Sequence, residues 1–197
     1  MIIGVCGLIG SGKGTVADFL VDDYGFVKVS FADALKDSVA LLFNWDRKLL
    51  EGDTEESRAW REKKDDFWSN ELGKEVTPRL VLQLFGTECM RHGFYDGVWV
   101  SLVKKKLLET KTTGNFVLPD TRFLNEMNMI RSLGGLIWEV QRELPDWFQK
   151  YKNDGIEPIG VHRSEWEWIR GPIDRTLLNI TDIGDLKKMV AKNINMV

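Results

Sequence analysis

The chain has little of what metal centres, disulfide frameworks and hydrolytic triads require. Its 197 residues include two cysteines and two histidines. Cys6 and Cys89 form no ligand cluster, and Cys6, inside an apolar run, reads as a small buried hydrophobe. This cysteine usage fits a reduced, cytoplasmic setting. Two histidines give no support to a zinc site built on paired imidazoles. No G-x-S-x-G turn is present, which removes the nucleophile elbow of a Ser–His–acid hydrolase. No apolar run is long enough to cross a bilayer, and the apolar start is too short for a secretory leader, so no membrane partner is expected. A net charge of −3 supplies no global field for nucleic acid, and no nucleic-acid partner is expected either.

What is there is an ordinary globular composition, 43% hydrophobic and 29% charged. The length suits one domain, or one core carrying an insertion and a lid. Eight tryptophans is a high count. They concentrate in Trp45–Trp99 and Trp166–Trp168, where charge is also dense, which points to a substrate cleft as well as a core.

The chain is organised around its first twenty residues, MIIGVCGLIGSGKGTVADFL. A short apolar strand, Ile2 to Cys6, runs into a glycine-rich loop and then into a helix with Val16, Phe19 and Leu20 at apolar spacing. Strand, glycine loop and helix are the context a phosphate-binding loop needs. Glycines let successive N–H groups point into one concavity, and the helix adds free N–H groups and the positive end of its dipole. Gly10, Ser11, Gly12, Lys13, Gly14 and Thr15 are therefore the candidate ATP-phosphate residues, with Lys13 as the mobile cation. One position departs from G-x-x-x-x-G-K-[ST]: Gly14 follows the lysine, and the hydroxyl comes at Thr15.

Further along, Gly25 closes the first helix and Phe26–Phe31 alternates as a second strand. A helix then runs to about Asn44, with Lys36 on its first turn near a strand end, where α/β sheets bind ligands. Lys36 is a candidate for substrate phosphate, with a solvated helix lysine as the plainer reading. Residues 45–78 are dense in charge and punctuated by Trp60, Phe67 and Trp68, as amphipathic helices inserted between strands would be; most of the charges read as a solvated face. Thr77 and Pro78 open another helix as N-cap and first residue, with Gly86 near its end. Arg79, Gln83 and Thr87 share one face of it. Arginine suits bidentate phosphate contact and glutamine a base edge, though ordinary surface polarity explains both equally well.

Val98–Leu108 reads as a helix with a basic end. Phe116–Leu118 is a short strand leading to Asp120, the position of a Walker-B acid, which could hold a magnesium-bound water. Arg122 follows and can point into the same cleft. A helix over Asn125–Leu133, a strand over Leu136–Val140 with Arg142 at its end, and an irregular Pro145–Ile169 come next. That irregular stretch reads as a lid over phosphates, where mobile arginines are useful; Arg142, Arg163, Arg170 and Arg175 are candidates, Arg142 first for its place at the strand end. Leu177–Ile180 is the last strand, and Asp182 or Asp185 caps a final helix to about Asn193.

Together these residues resemble the phage deoxynucleoside monophosphate kinases of the P-loop kinase superfamily, over most of the chain. The resemblance rests on GLIGSGKGTVADFL, FADALKD, TPRLVLQLFGTECMR, Val98-Trp99, PDTRFLNE and HRSE. GSGKGT is the form found in adenylate-kinase-like nucleoside monophosphate kinases, where magnesium is held largely through waters and nucleotide oxygens. The resemblance implies a three-layer α/β fold with a mainly parallel sheet. It implies a core of residues 1–44 and 114–197, a helical substrate-binding insertion of 45–113, and a lid of about 143–172. It further implies transfer of the γ-phosphoryl group of ATP to a deoxynucleoside monophosphate, with Mg2+. Lys36, Arg79 and Arg122 would hold the acceptor phosphate, and Gln83 and Trp99 would face the nucleoside. Lys13, Arg122 and Arg142 would be catalytic, Asp120 would serve the metal through water, and the Thr181–Gly184 loop, with Asp182, would pack the adenine. Nucleotides are the expected partners, in the host cytoplasm for a phage-encoded chain, and a homodimer is left open. Two rivals stand beside this reading: a dephospho-coenzyme-A-like kinase, and a non-catalytic nucleotide-binding switch.

Overall fold

The computed structural model describes residues 1–109 and 114–196. It divides into two compact units, one of Met1–Ser30 with Leu107–Val197, the other of Phe31–Lys106. The second unit thus begins earlier than the expected insertion at 45 and ends before 113, a position that lies outside the described residues.

The first unit is an α/β layer structure. Strands β1 (Ile2–Cys6), β2 (Val27–Lys28), β3 (Phe116–Leu118), β4 (Leu136–Gln141) and β5 (Arg175–Leu178) form one sheet in the order β2-β3-β1-β4-β5. Every pairing is parallel. The register Ile3↔Val117 and Ile3↔Leu136 puts β1 between β3 and β4. Chain leaving these two neighbours at their carboxyl ends flanks the loop that leaves β1, which is where an open parallel sheet forms its ligand crevice. Strands β1 and β4 are buried on both faces, which is why Ile-Ile-Gly-Val-Cys and Leu-Ile-Trp-Glu-Val read as largely apolar runs rather than alternating ones. Helices α1 (Lys13–Tyr24) and α9 (Ile183–Ile194) close the core with Val16, Ala17, Leu20, Leu186 and Val190 against Ile3, Val5, Trp138 and Leu177. Helix α7 (Leu124–Ser132) buries Met127 and Ile130. The second strand is much shorter than the expected Phe26–Phe31. It is an edge strand whose residues are exposed, and after one more bond, from Val29 N to Val117 O at 2.9 Å, the chain turns away.

The segment expected to be irregular contains helix α8 (Asp146–Asp154), opened after Pro145 and closed by Gly155 at φ 73°. Phe148 and Tyr151, three apart on one face, pack on Trp168 and Trp166 with ring centroids 6.1 and 4.9 Å apart. Phe148 and Trp168 are almost wholly buried, so these aromatics form core, not cleft.

The second unit is helical: α2 (Asp33–Phe43), α3 (Glu55–Glu62), α4 (Asp66–Leu72), α5 (Pro78–Gln83) and most of α6 (Val98–Glu109). Thr54, Asp65 and Thr77 cap the three middle helices through side-chain oxygens, as their sequence positions dictate. Their shared core is Val39, Leu50, Val76, Val81 and Leu82, ringed by Phe43, Trp45, Trp60 and Trp68. The helix begun at Pro78 does not end at Gly86. It continues as a π-helix over Leu84–His92, with Gly86 buried where a Cβ would lie 2.8 Å from Leu35 Cδ2.

Candidate active site

The loop between β1 and α1 is shaped by three glycines with positive φ: 147° at Gly7, 77° at Gly10 and 105° at Gly12. At two of them space is as restrictive as the dihedral. A Cβ on Gly7 would meet Val140 O at 2.4 Å, and one on Gly12 would meet Asn179 Nδ2 at 2.6 Å. Asn179, just after β5, donates to Ser11 O at 2.9 Å and so ties the loop to the end of the sheet. Gly12 is the N-cap of α1 and offers no side-chain oxygen, and the first turn carries no acidic residue. The first amides of α1 therefore face the loop concavity as an uncontested anion site.

Lys13 folds back over this loop, its Nζ donating to Gly7 O at 2.8 Å and Leu8 O at 2.7 Å. Its pKa is lowered to about 8, by burial first and then by the positive charge of Arg122, against the pull of Glu165, Cys6 and Asp120. An ammonium held short of its usual stability is one that a polyphosphate would restore. Neighbouring Cys6 is inert by contrast: burial first, then the Glu139 carboxylate, push its thiol far above the usual range.

Asp120 and Arg122 follow β3, as expected. Ser30 Oγ donates to Asp120 Oδ2 at 2.6 Å. The Arg122 guanidinium donates to Glu165 Oε1 at 2.6 Å, and both side chains are partly shielded from solvent. Lys13, Asp120, Arg122 and Glu165 thus share one electrostatic neighbourhood on the first unit. Arg142 stands exposed just past β4, with no hydrogen bond or ion pair among the described residues. Asp182 caps α9 by accepting from Asp185 N at 3.0 Å, so its carboxylate already has a structural task.

The remaining candidates lie on the second unit. Lys36 is mostly buried and donates to Glu51 Oε2 at 2.6 Å. Burial alone would raise the Glu51 pKa, but Lys36 and then Arg47 hold it below the usual carboxylate range. Arg79 is ion-paired with Glu62. Gln83 is exposed at the end of α5. Trp99, expected to face the nucleoside, lies inside the helical unit. It is 5% exposed, and its Nε1 donates to Gly86 O at 3.0 Å, supporting the π-helix from inside.

Sequence reasoning passed over the acidic partners Glu51, Glu62 and Glu165. Glu165 ends the HRSE stretch and could have been paired with an arginine on charge alone; the other two sit in a charge-rich run where no spacing singles them out.

No protein-family model matches the chain. A protein of Acanthamoeba polyphaga mimivirus, named as a deoxynucleotide monophosphate kinase, is 33% identical over 178 residues, spanning 85% of this chain and 81% of that protein. Among solved structures, TT1252 from Thermus thermophilus covers all of this chain and 97% of its own, at 19% identity and a TM-score of 0.51. Dephospho-CoA kinase from Campylobacter jejuni covers 99% of this chain and 96% of its own, at 16% identity and a TM-score of 0.51. These two likenesses concern the fold.

Proposed function

The chain belongs to the deoxynucleotide monophosphate kinase family, and from that premise we propose that it transfers the γ-phosphoryl group of ATP to a deoxynucleoside monophosphate, giving the diphosphate and ADP. The observation that carries this reading is the grouping of Lys13 with Asp120 and Arg122 around a glycine loop at the centre of a parallel sheet. Phosphoryl transfer asks for positioning and charge neutralisation more than for a strong base, and this grouping supplies both. The loop amides and Lys13 hold the β- and γ-phosphates of ATP. Thr15, half-buried on the first turn of α1, adds a hydroxyl. Arg122 exchanges its Glu165 partner for the acceptor phosphate, and Arg142 neutralises charge on the transferring group.

Magnesium fits the donor chemistry. Asp120 is a partly buried carboxylate within the field of Lys13, suited to a hard cation that keeps waters and nucleotide oxygens as its other ligands. Among the described residues no group of three or more His, Cys, Asp or Glu side chains forms a metal cage. Bound with ATP, the ion would offset the charge of the phosphates.

In this reading the second unit recognises the acceptor through Lys36, Arg79 and Gln83. Lys36 and Arg79 give up their pairings with Glu51 and Glu62 for phosphate oxygens, which arginine meets bidentately. Trp99 lies against the nucleoside, its ring oriented by the Nε1 bond to Gly86 O. The donor base lies against the backbone of residues 181–184, and residues 143–172 cover the phosphates.

The test is ADP release with ATP and Mg2+ in the presence of each deoxynucleoside monophosphate, with ribonucleotides alongside. Acceptor-dependent release that is lost in a folded Lys13→Ala variant supports the proposal. Release that ignores the acceptor, or survives in Lys13→Ala, overturns it.

A further inference from the structure

The backbone that carries Arg122 is held in an unusual way. Phe123 occupies the N-cap position of α7 in extended conformation, φ −121° and ψ 150°, and a phenyl ring has no oxygen with which to cap a helix. The task falls to two glutamates that are almost fully buried, Glu126 and Glu167. Glu126 Oε2 accepts from Arg122 N at 2.7 Å and from Phe123 N at 3.1 Å. Glu167 Oε1 accepts from Leu124 N at 3.0 Å. Three successive amides thus each rest on a buried carboxylate.

One buried carboxylate at a helix start is ordinary capping, since the dipole favours it. Two, converging on three consecutive amides, hold the backbone at the residue whose guanidinium lies beside Lys13. Glu167 also pairs with Arg163, and Glu165, two residues before it, takes the Arg122 guanidinium itself. The side chain of Arg122 can thus leave Glu165 for a phosphate while its backbone stays seated.

We infer that Glu126 and Glu167 are positioning residues that fix the Arg122 backbone so that its guanidinium meets the acceptor phosphate. The inference rests on the kinase reading above, and neither glutamate touches a substrate. Glu126 is the more direct of the two because it binds the Arg122 amide. A glutamine there keeps a side-chain oxygen for both amides, whereas an alanine keeps none.

The experiment compares Glu126→Gln, Glu126→Ala, Arg122→Ala and the Glu126→Ala/Arg122→Ala double variant, with amide hydrogen exchange measured at Arg122 and Phe123. Displacing a phosphate ligand by a fraction of an ångström to 1 Å is expected to lower kcat/KM for the acceptor by about 10- to 100-fold in Glu126→Ala. The KM for ATP should stay within about threefold of wild type, because the loop around Lys13 is not involved. Glu126→Gln should recover most of the loss, and the double variant should be no worse than Arg122→Ala alone. Equal losses in Glu126→Gln and Glu126→Ala, or additive losses in the double variant, would overturn the inference. If Glu126→Ala does not fold, Glu126→Gln and the wild-type amides decide: slow exchange at Arg122 and Phe123 supports the seat, and free-peptide rates overturn it. A wild-type protein without acceptor-dependent turnover would defeat the kinase reading, while the exchange data would still judge the seat.

Discussion

Lys13 is held by two carbonyl oxygens and depressed to a pKa of about 8, against an ordinary 10.5, by burial and by Arg122. The folded value lies below the unfolded one, so the unfolded chain binds more protons between the two. Charged Lys13 therefore costs stability below about pH 8, and that cost fades as pH rises towards 10.5. Lys13→Met is accordingly expected to raise Tm at pH 7 by a few degrees while abolishing transfer; a thermal melt checks the first half and a turnover assay the second. Nucleotide binding carries the complementary signature. A bound polyphosphate stabilises the ammonium, so ATP binding should take up almost no proton at pH 7 and a substantial fraction of one at pH 9. Calorimetry in buffers of different ionisation enthalpy reads this directly, and pH-independent uptake would contradict the assignment of Lys13 to the phosphates.

At the scale of elements, the loop depends on glycine for reasons of space. Gly12→Ala puts a Cβ at φ 105° against Asn179 Nδ2, so it should destabilise the fold by about 1–2 kcal/mol from the dihedral alone. It should also weaken ATP binding, because relief of the clash moves the loop off β5; a melt and an ATP titration separate the two effects. Helix α8 makes a different case. Phe148→Ala empties a fully buried site against Trp168 and should cost about 3–5 kcal/mol. A much smaller loss on denaturation would mean that the 143–172 segment is loosely attached. Much of this was legible in the sequence. The first strand, the Thr77-Pro78 start and an acidic cap on the last helix follow from local chemistry that needs no tertiary partner, and of the two candidates Asp182 and Asp185 the structure uses Asp182. Helix α8 was missed because charge hid its apolar pair, Phe148 and Tyr151, whose partners Trp168 and Trp166 lie well along the chain. The π-helix was missed because Gly86 looks like a stop signal, whereas its missing Cβ makes room for Leu35. Lys13, Asp120 and Arg122 could be named singly, but that Lys13 feels both others depends on the order β3-β1-β4, which no local pattern reveals.

For the whole molecule, the proposed donor-phosphate residues and Arg122 belong to the sheet unit, and the proposed acceptor residues Lys36, Arg79 and Gln83 to the helical one. Among the described residues no helix is long and apolar enough to cross a membrane. Lys36→Ala and Arg79→Ala should therefore raise KM for the acceptor about tenfold or more while leaving ATP binding near wild type, the reverse of Gly12→Ala. Steady-state kinetics with each nucleotide varied in turn distinguishes the patterns, and a loss of ATP affinity in Arg79→Ala would argue against the division. The most direct test of the central claim follows the transferred group itself. With γ-labelled ATP, Mg2+ and one deoxynucleoside monophosphate at a time, label is expected in the β-position of a deoxynucleoside diphosphate for at least one base. Label that stays in ATP or appears only as inorganic phosphate, with every acceptor, would contradict it.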